Sequence, residues 1–330
     1  MPRVAISRVL IPPDEDKIFD AVKKALDNLG GIEKFVKPNE KVLIKPNLVS
    51  PRPPPVTTDP RVVRAVALLV KEVGAKPIIA ESASAMTYWW REGMTTKRVM
   101  ELLGYVNMAK NIGVEITTFD ENGKFKSIKV KVSNGILLKE IELAELVTKV
   151  DKIIGVPVLK TSMEGGGITG CIKLMHGVTN SFTDRLRWHR SDLWYKIVDE
   201  IIPFRDKYVL CVFDAVKCKE GDGPIHGDSV DMNLVIAGDD PVATDAIAAK
   251  LIGYEYPHFE VEPIAIAHVT GLGVGDPANI EVVGEKLDNV RRRLRFANCE
   301  IIEPYFPEVH VVDGATCRTY KAWIKFTLYA

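Results

Sequence analysis

Residues 41–82, KVLIKPNLVSPRPPPVTTDPRVVRAVALLVKEVGAKPIIAES, contain the signals on which the fold class depends. Two short apolar runs, at 41–47 and 77–82, have the length and the composition of buried strands. Between them, Asp59 and Pro60 predict the start of a helix, because Asp is a favourable N-cap and Pro suits the first helical position. A strand, a helix and a second strand in this order predict two parallel strands that are connected by a helix on one face of the sheet.

Strand and helix signals alternate on both sides of this segment as well. A further buried strand is predicted at 151–159, and a further helix is predicted to start at Asp240. We therefore predict an α/β fold with two Rossmann-like lobes, whose mostly parallel sheets are covered by helices on both faces. At roughly 150 residues per domain, we expect the first lobe at 1–150. The second lobe, at 151–330, would carry a glycine-rich turn and a C-terminal cysteine segment.

The composition excludes several classes of function. The chain has 330 residues, with 44 basic and 44 acidic side chains. A net charge of zero argues against a nucleic-acid partner, because such proteins usually carry a basic excess. No run of about 18 apolar residues is present, so we expect no membrane partner and a cytoplasmic location. The five cysteines include no C-x-x-C pair and do not indicate a disulfide framework.

Polar side chains follow three of the predicted strands. The carboxyl ends of parallel strands open on one crevice, and doubly wound sheets bind their ligands there. Lysines at two of these ends favour an anion-binding crevice, although a lysine at a strand end can also be an ordinary surface residue. We expect a small carboxylate or phosphate to bind in this crevice. The predicted ligand-binding residues at the strand ends are Lys45, Asn47, Glu81, Ser82, Lys160 and Thr161.

A glycine-rich turn follows the last of these strands, in KTSMEGGGITGCIKLMHG, residues 160–177. Three consecutive glycines cost more conformational entropy than alanines would, so a turn or a close approach of the backbone is expected to require them. In front of a helix, such a turn offers free N–H groups to an anion. The glycines that we predict to bind the ligand are Gly165, Gly166 and Gly167.

Two side chains in the helix that is predicted after this turn are candidates for proton transfer. Lys173 and His176 are three residues apart, so they share a helix face. His176 could act there as a general acid or base. The alternative interpretation is a partly buried histidine that makes a structural hydrogen bond.

A second polar cluster lies in FDAVKCKEGDGPIHGD, residues 213–228. We predict Asp214 at the end of a strand, and Asp222 and His226 in a glycine-rich loop. Asp and His in such a loop can hold a divalent metal or act as an acid–base pair, yet Asp, Gly and Pro are also the residues of any tight turn. Both interpretations stay open, and Cys218 adds a soft metal ligand to the candidates.

Five motifs, in their order along the chain, resemble the family catalogued as domain of unknown function 362. They extend from about Val42 to Gly253 and read KPNLV, TTDPRVVRAVALLVKEVGAKPIIAES, KTSMEGGGITGCIKLMHG, GDGPIHGD and DDPVATDAIAAKLIG. The resemblance implies an α/β protein, often linked to iron–sulfur proteins, and many members carry ferredoxin-type cysteine segments near the C-terminus. This sequence has no such segment. Cys218, Cys299 and Cys317 could ligate an iron–sulfur cluster if they met in space.

The leading hypothesis is an enzyme that binds a small anionic molecule at the strand ends, assisted by a metal or a redox protein partner. Its reaction class stays open. The first alternative is an iron–sulfur carrier or assembly partner without its own catalysis. The second is a structural subunit in which the adjacent Trp89 and Trp90 form a subunit contact, as in a homo-oligomer. The candidates for catalysis are His176, Asp214, Asp222 and Lys173.

Overall fold

The computed structural model describes residues 1–83, 94–121, 124–164, 167–179, 192–298, 306–309, 324–325 and 327–329. The strands in these residues are β1 (Arg3–Arg8), β2 (Lys41–Pro46), β3 (Lys76–Glu81), β4 (Glu115–Thr118), β5 (Asp120–Glu121), β6 (Lys124–Phe125), β7 (Ser127–Lys131), β8 (Glu140–Ala144), β9 (Lys152–Val156), β10 (Val158–Thr161), β11 (Ile168–Thr169), β12 (Tyr208–Glu220), β13 (Asp228–Gly238) and β14 (Glu281–Gly284). The helices are α1 (Glu15–Asn28), α2 (Pro60–Glu72), α3 (Thr96–Leu102), α4 (Tyr105–Ile112), α5 (Glu145–Lys149), α6 (Cys171–Leu174), α7 (Leu193–Ile201), α8 (Pro241–Leu251), α9 (Pro257–Glu260), α10 (Glu262–Val269) and α11 (Leu287–Val290).

One large sheet runs through the molecule. Its strand order is β14-β1-β13-β12-β9-β2-β3-β4, with β10 beside β12 and β11 beside β10. Neighbouring strands from β12 to β4 are parallel, whereas β13 is antiparallel to both β12 and β1. The prediction of an α/β fold with a mostly parallel sheet is therefore confirmed. Strands from both halves of the chain share this sheet, and the boundary at residue 150 stays a prediction about folding units.

Helices cover both faces of the large sheet. On one face, α1, α2, α3 and α4 pack on alternate strand residues, such as Val42 and Ile44 of β2. On the other face, α6, α7, α8 and α10 pack on the residues in between, such as Leu43. Each central strand is thus buried on both sides, which explains why its sequence is a continuous apolar run.

The segment 41–82 folds as its sequence predicts. Strands β2 and β3 pair in parallel, and α2 connects them. The side chain of Asp59 accepts a hydrogen bond from the backbone N–H of Arg61 at 2.9 Å, and Pro60 is the first helical residue. Thr58, which precedes the helix, donates from its backbone N–H to the Asn47 carbonyl at 3.0 Å and from its hydroxyl to the Val156 carbonyl at 2.7 Å. The N-terminus of α2 therefore lies at the carboxyl edge of the sheet.

Two elements differ from the sequence prediction. The helix that is predicted after the glycine-rich turn is short, because α6 ends at Leu174 and a 3₁₀ turn, Met175–Val178, follows it. The strand that was predicted to end near Asp214 continues to Glu220, where it pairs with β13 as a long antiparallel ribbon. Asp214 therefore lies inside β12 and not at its end.

None of the helices in the described ranges has the length and the apolar character that a bilayer span requires.

Candidate functional site

A buried ion pair joins the carboxyl ends of β2 and β3. Lys45 Nζ donates to Glu81 Oε2, and the two residues are 1% and 2% exposed. The other carboxylate oxygen, Oε1, accepts a hydrogen bond from the backbone N–H of Ser82 at 2.8 Å. Two ligand-binding candidates from different strands thus contact each other directly, and the Lys45 charge is already balanced by a carboxylate.

The turn that follows α6 packs against this ion pair. The hydroxyl of Ser82 donates to the carbonyl of Gly177 at 3.0 Å. A Cβ atom at Gly177 would lie 2.6 Å from Lys45 Nζ and 2.7 Å from Glu81 Oε1, so a side chain here would displace the ion pair. The residue before it, His176, is therefore held next to the ends of β2 and β3.

His176 is oriented by a carboxylate that the sequence did not single out. Its Nδ1 atom lies 2.9 Å from Oε1 and 3.1 Å from Oε2 of Glu200, a residue of α7. The His176 side chain is 8% exposed and that of Glu200 is fully buried. A carboxylate at Nδ1 holds a proton there, so that Nε2 is the nitrogen that can accept a proton. This is the arrangement of a general base with an orienting acid.

Lys160, at the end of β10, has a different environment from Lys45. Its Nζ donates to Asn47 Oδ1 at 3.0 Å and to the Val56 carbonyl at 2.8 Å, and the residue is 0% exposed. Burial lowers the pKa of Lys160 well below its usual range, and the charges of Lys173 and Lys219 lower it further. Lys160 and Asn47, both predicted ligand-binding residues, are thus brought together.

Lys173 lies near the end of α6, between a carboxylate and an aromatic ring. Its Nζ forms an ion pair with Glu164 and lies 5.4 Å from the centre of the Trp194 ring. Burial lowers the pKa of Lys173 to about 7, whereas the adjacent carboxylate favours the charged form. The charge of Lys173 is therefore sensitive to pH near neutrality.

The short helix α6 carries Lys173, and a buried carboxylate accepts hydrogen bonds from its N-terminus. Asp245 of α8 accepts hydrogen bonds from the backbone N–H groups of Cys171 at 2.6 Å and Ile172 at 3.0 Å. Burial raises the pKa of Asp245 to about 7, although these donors act in the opposite direction. A Cβ atom at Gly170 would lie 2.3 Å from Asp245 Oδ1, so a side chain here would displace the Asp245 carboxylate from its present position.

The residues that follow Lys160 form hydrogen bonds with backbone carbonyl groups of the second polar cluster. The hydroxyl of Thr161 donates to the carbonyl of Gly221 at 2.7 Å. The N–H of Met163 donates to the carbonyl of Gly223 at 3.0 Å. A Cβ atom at Gly223 would lie 2.0 Å from the Thr161 carbonyl oxygen. The two glycine-containing segments that the sequence singles out therefore pack on each other.

Asp222 and His226 contact residues near the C-terminus. Asp222 Oδ2 lies 2.6 Å from Lys325 Nζ and accepts a hydrogen bond from the Tyr329 hydroxyl at 3.0 Å. The His226 ring stacks on Tyr329 with 4.2 Å between ring centroids. Burial lowers the pKa of His226 to about 4, so its imidazole is neutral near pH 7.

The side chain of Asp214, in β12, is hydrogen-bonded to the backbone at the start of α2. Its two carboxylate oxygens accept hydrogen bonds from the backbone N–H groups of Asp59 at 2.8 Å and Val216 at 3.2 Å. Burial, followed by the charge of Asp59, raises the pKa of Asp214 to about 7. Asp214 is therefore a buried group that can carry a proton near neutral pH, and it also holds the N-terminus of α2 in place.

Several predicted site residues lie outside the described residues, namely Gly165, Gly166, Cys299 and Cys317, as do Trp89 and Trp90. Gly167 is described and has a positive φ of 74°, which suits glycine. Cys218 is fully buried in β12, and burial raises the pKa of its thiol. Within the described ranges, no group of three or more His, Cys, Asp or Glu side chains could hold a metal ion.

Sequence reasoning missed two buried acids, Glu200 and Asp245. Asp245 is the lone acid in the otherwise apolar start of α8, PVATDAIAA, and an isolated charge in a buried helix is a recognisable signal. Glu200 gives a weaker signal, because the sequence LWYKIVDEI is compatible with a solvated polar face. Only the packing of α7 on α6 shows that Glu200 faces His176.

Comparisons with known proteins identify a family and several similar proteins. The model of the family described as domain of unknown function (DUF362) matches residues 42–250, which confirms the resemblance of the five motifs. A thylakoid-associated protein of Synechocystis is 27% identical over 246 residues, which are 71% of this chain and 70% of that protein.

Two solved structures are similar at low sequence identity. The lactate racemase apoprotein from Thermoanaerobacterium thermosaccharolyticum has 12% identity and a TM-score of 0.41, over 76% of this chain and 56% of that one. A protein from Thermotoga maritima has 15% identity and a TM-score of 0.43, over 73% of this chain and 59% of that one. The chain thus spans little more than half the length of either solved chain.

Proposed function

The chain belongs to the family of the domain of unknown function 362, and on that premise we propose that it is an enzyme that binds a small anionic molecule and transfers a proton to or from it. The proposed site lies at the carboxyl ends of β2, β3 and β10 and at the turn after α6. The observation that carries the proposal is the contact of His176 with Glu200, next to the buried pair of Lys45 and Glu81. A cytoplasmic location, a redox protein partner and a homo-oligomer stay proposals.

Proton transfer is supported by the way in which His176 is held. A general base needs one nitrogen that is fixed by a hydrogen bond and a second nitrogen directed at the reacting atom. Glu200 fixes Nδ1 at 2.9 Å, and the neighbouring Gly177 packs against Lys45 and Glu81. The imidazole therefore has little freedom to rotate, which keeps Nε2 in one position for a bound molecule.

Binding of an anion is supported by Lys173. A carboxylate, that of Glu164, already contacts its ammonium group, so this position accommodates the charge and shape of a carboxylate. In the proposal, the ligand's carboxylate or phosphate replaces the Glu164 side chain, which is 29% exposed. Gly167 stays a proposed ligand-binding residue, as do Gly165 and Gly166, which lie outside the described residues. Lys45, in contrast, has its charge balanced by Glu81 and positions the turn.

Ligand-observed NMR with acetate, pyruvate and inorganic phosphate tests the proposal. We expect pyruvate or phosphate to bind, Lys173→Gln to weaken that binding about tenfold or more, and Glu164→Gln to strengthen it, since a charge-assisted contact contributes roughly 1.5 to 3 kcal/mol. Lys24→Gln, on the exposed face of α1, is the matched control and leaves the affinity unchanged. Absence of binding by every member of the panel, or equal affinity of wild type and Lys173→Gln, would overturn the proposal.

A further inference from the structure

Three lysines of this region differ in the groups that their Nζ atoms contact. Lys45 contacts Glu81, and Lys173 contacts Glu164. Lys160, which is fully buried, instead donates to two uncharged oxygens, those of the Asn47 side chain and the Val56 backbone. Among the residues that the structure describes, no carboxylate lies within ion-pair distance of Lys160. Its surroundings are therefore those of a neutral amine.

The number of hydrogen bonds agrees with this protonation state. A protonated lysine has three N–H donors and no acceptor, whereas a neutral lysine has two N–H donors and one lone pair. The two contacts of Lys160, at 3.0 Å and 2.8 Å, use both donors of the neutral amine and leave its lone pair for another atom. Burial and the nearby charges of Lys173 and Lys219 disfavour the third proton, and they outweigh the opposite effect of the Asp214 carboxylate. A desolvated lysine beside other cations is a known way to prepare a nucleophile.

We propose that Lys160 is a nucleophile that forms a Schiff base with the carbonyl group of a small aldehyde or ketone that also carries an anionic group. This inference rests on the proposed function, in which Lys173 binds the anionic group. The Nζ lone pair attacks the carbonyl carbon, and the carbonyl oxygen takes up a proton from water to give a carbinolamine. Loss of a water molecule, with uptake of one more proton and release of an N–H proton, then gives the protonated imine. No atom changes its oxidation state in this condensation, so no redox partner is needed.

The Schiff base would also explain why a base and an amine occur at the same edge of the sheet. A protonated imine withdraws electrons from the adjacent carbon, so that a C–H bond there is more acidic than in the free carbonyl compound. A base such as His176 can then remove that proton. The substrate class is therefore a carbonyl compound with an acidic C–H next to the carbonyl carbon and with a carboxylate or phosphate.

Reductive trapping tests the inference directly. The full chain is incubated near pH 7 with pyruvate, glycolaldehyde phosphate or uncharged glycolaldehyde, reduced with borohydride, and analysed by peptide mass mapping. At this pH, only about one exposed lysine side chain in 10³ is neutral, whereas Lys160 is neutral in this proposal. Lys160 should therefore be labelled roughly tenfold or more faster than the exposed Lys24. Lys45, equally buried but paired with Glu81, is the internal control and stays unlabelled. Because Lys160 is fully covered, the rate also includes local opening of its cover.

The three probes distinguish the source of the anionic group. Labelling of Lys160 by pyruvate alone identifies a carboxylate ligand, and labelling by glycolaldehyde phosphate alone identifies a phosphate ligand. Equal labelling by uncharged glycolaldehyde contradicts the requirement for an anion. Lys160→Gln, whose amide keeps two N–H donors for Asn47 and Val56 but is not nucleophilic, should lose the adduct and keep the fold.

One outcome overturns this inference while the proposed function stands. If pyruvate binds in the NMR experiment and Lys173→Gln weakens that binding, yet the adduct is spread over exposed lysines with none on Lys160, then Lys160 is not the nucleophile. If no probe binds and no adduct forms, both proposals fail. The peptide map of the wild-type chain shows whether the adduct is on Lys160, even if Lys160→Gln does not fold.

Discussion

Glu200 Oε1 lies 2.9 Å from Nδ1 of His176, although 24 residues separate the two in the chain. Glu200 belongs to α7 and His176 to the turn after α6, so the contact exists only because these two helices pack on the same face of the sheet. A fully buried carboxylate is costly unless it is paired or hydrogen-bonded. The imidazole satisfies this requirement, and in the proposed proton transfer the carboxylate would stabilise the imidazolium.

Glu200→Gln should slow proton transfer without displacing the histidine. The amide oxygen of Gln can still accept from Nδ1–H, but an uncharged amide stabilises the imidazolium far less than a carboxylate does. We expect the rate of deuterium exchange into pyruvate, followed by NMR, to fall about tenfold or more. Glu140→Gln, at an exposed residue of β8, is the matched control. An unchanged rate in Glu200→Gln would show that this carboxylate has only a structural role.

The Lys45–Glu81 pair should be worth far more to stability than an exposed pair of the same type. Removing one partner leaves an uncompensated buried charge, so Glu81→Gln is expected to lower the free energy of unfolding by about 3 to 5 kcal/mol. Lys129 and Glu140 have side chains that are 67% and 64% exposed, and Glu140→Gln should cost less than about 1 kcal/mol. Urea unfolding measures both, and equal losses in the two variants would contradict the buried pairing.

We expect Asp245 to stabilise the protein by holding the N-terminus of α6 in place. Its two oxygens each accept one backbone N–H, and Asn offers only one acceptor there, so Asp245→Asn should cost about 1 to 3 kcal/mol. Asp276→Asn, at the start of a 3₁₀ helix, is a suitable comparison because Asn caps as well as Asp does. If thermal unfolding shows the same small effect for both substitutions, the proposed anchoring of α6 is wrong.

The affinity for an anionic ligand should fall as the pH rises through about 7, the pKa to which burial lowers Lys173. Lys173 is charged below this pH and attracts the ligand, whereas the neutral amine above it does not. The affinity is therefore highest below pH 7 and decreases by at most about tenfold per pH unit above it. Lys173→Arg, which stays charged, should remove the dependence. Titrations of pyruvate at several pH values measure this effect, and the same decline in Lys173→Arg would assign it to another group.

The fold was predictable because its signals are local. The apolar runs of β2 and β3 and the Asp59–Pro60 helix start need no knowledge of the rest of the chain. The site was predictable only in part. Strand ends were correctly expected to meet, but the pairing of Lys45 with Glu81 depends on the register of adjacent strands. The role of Glu200 depends on helix packing, and the neutral surroundings of Lys160 depend on how the chain folds back at Val56.

Hydrogen–deuterium exchange at the methyl group of pyruvate, catalysed by the full chain in D₂O, tests the central claim most directly. We predict that the wild-type protein accelerates this exchange and that His176→Gln slows it by roughly 10²-fold or more, while Lys24→Gln exchanges at the wild-type rate. Exchange at the same rate in His176→Gln and the wild type, or no exchange above the rate in buffer with either pyruvate or glycolaldehyde phosphate, would contradict proton transfer by His176.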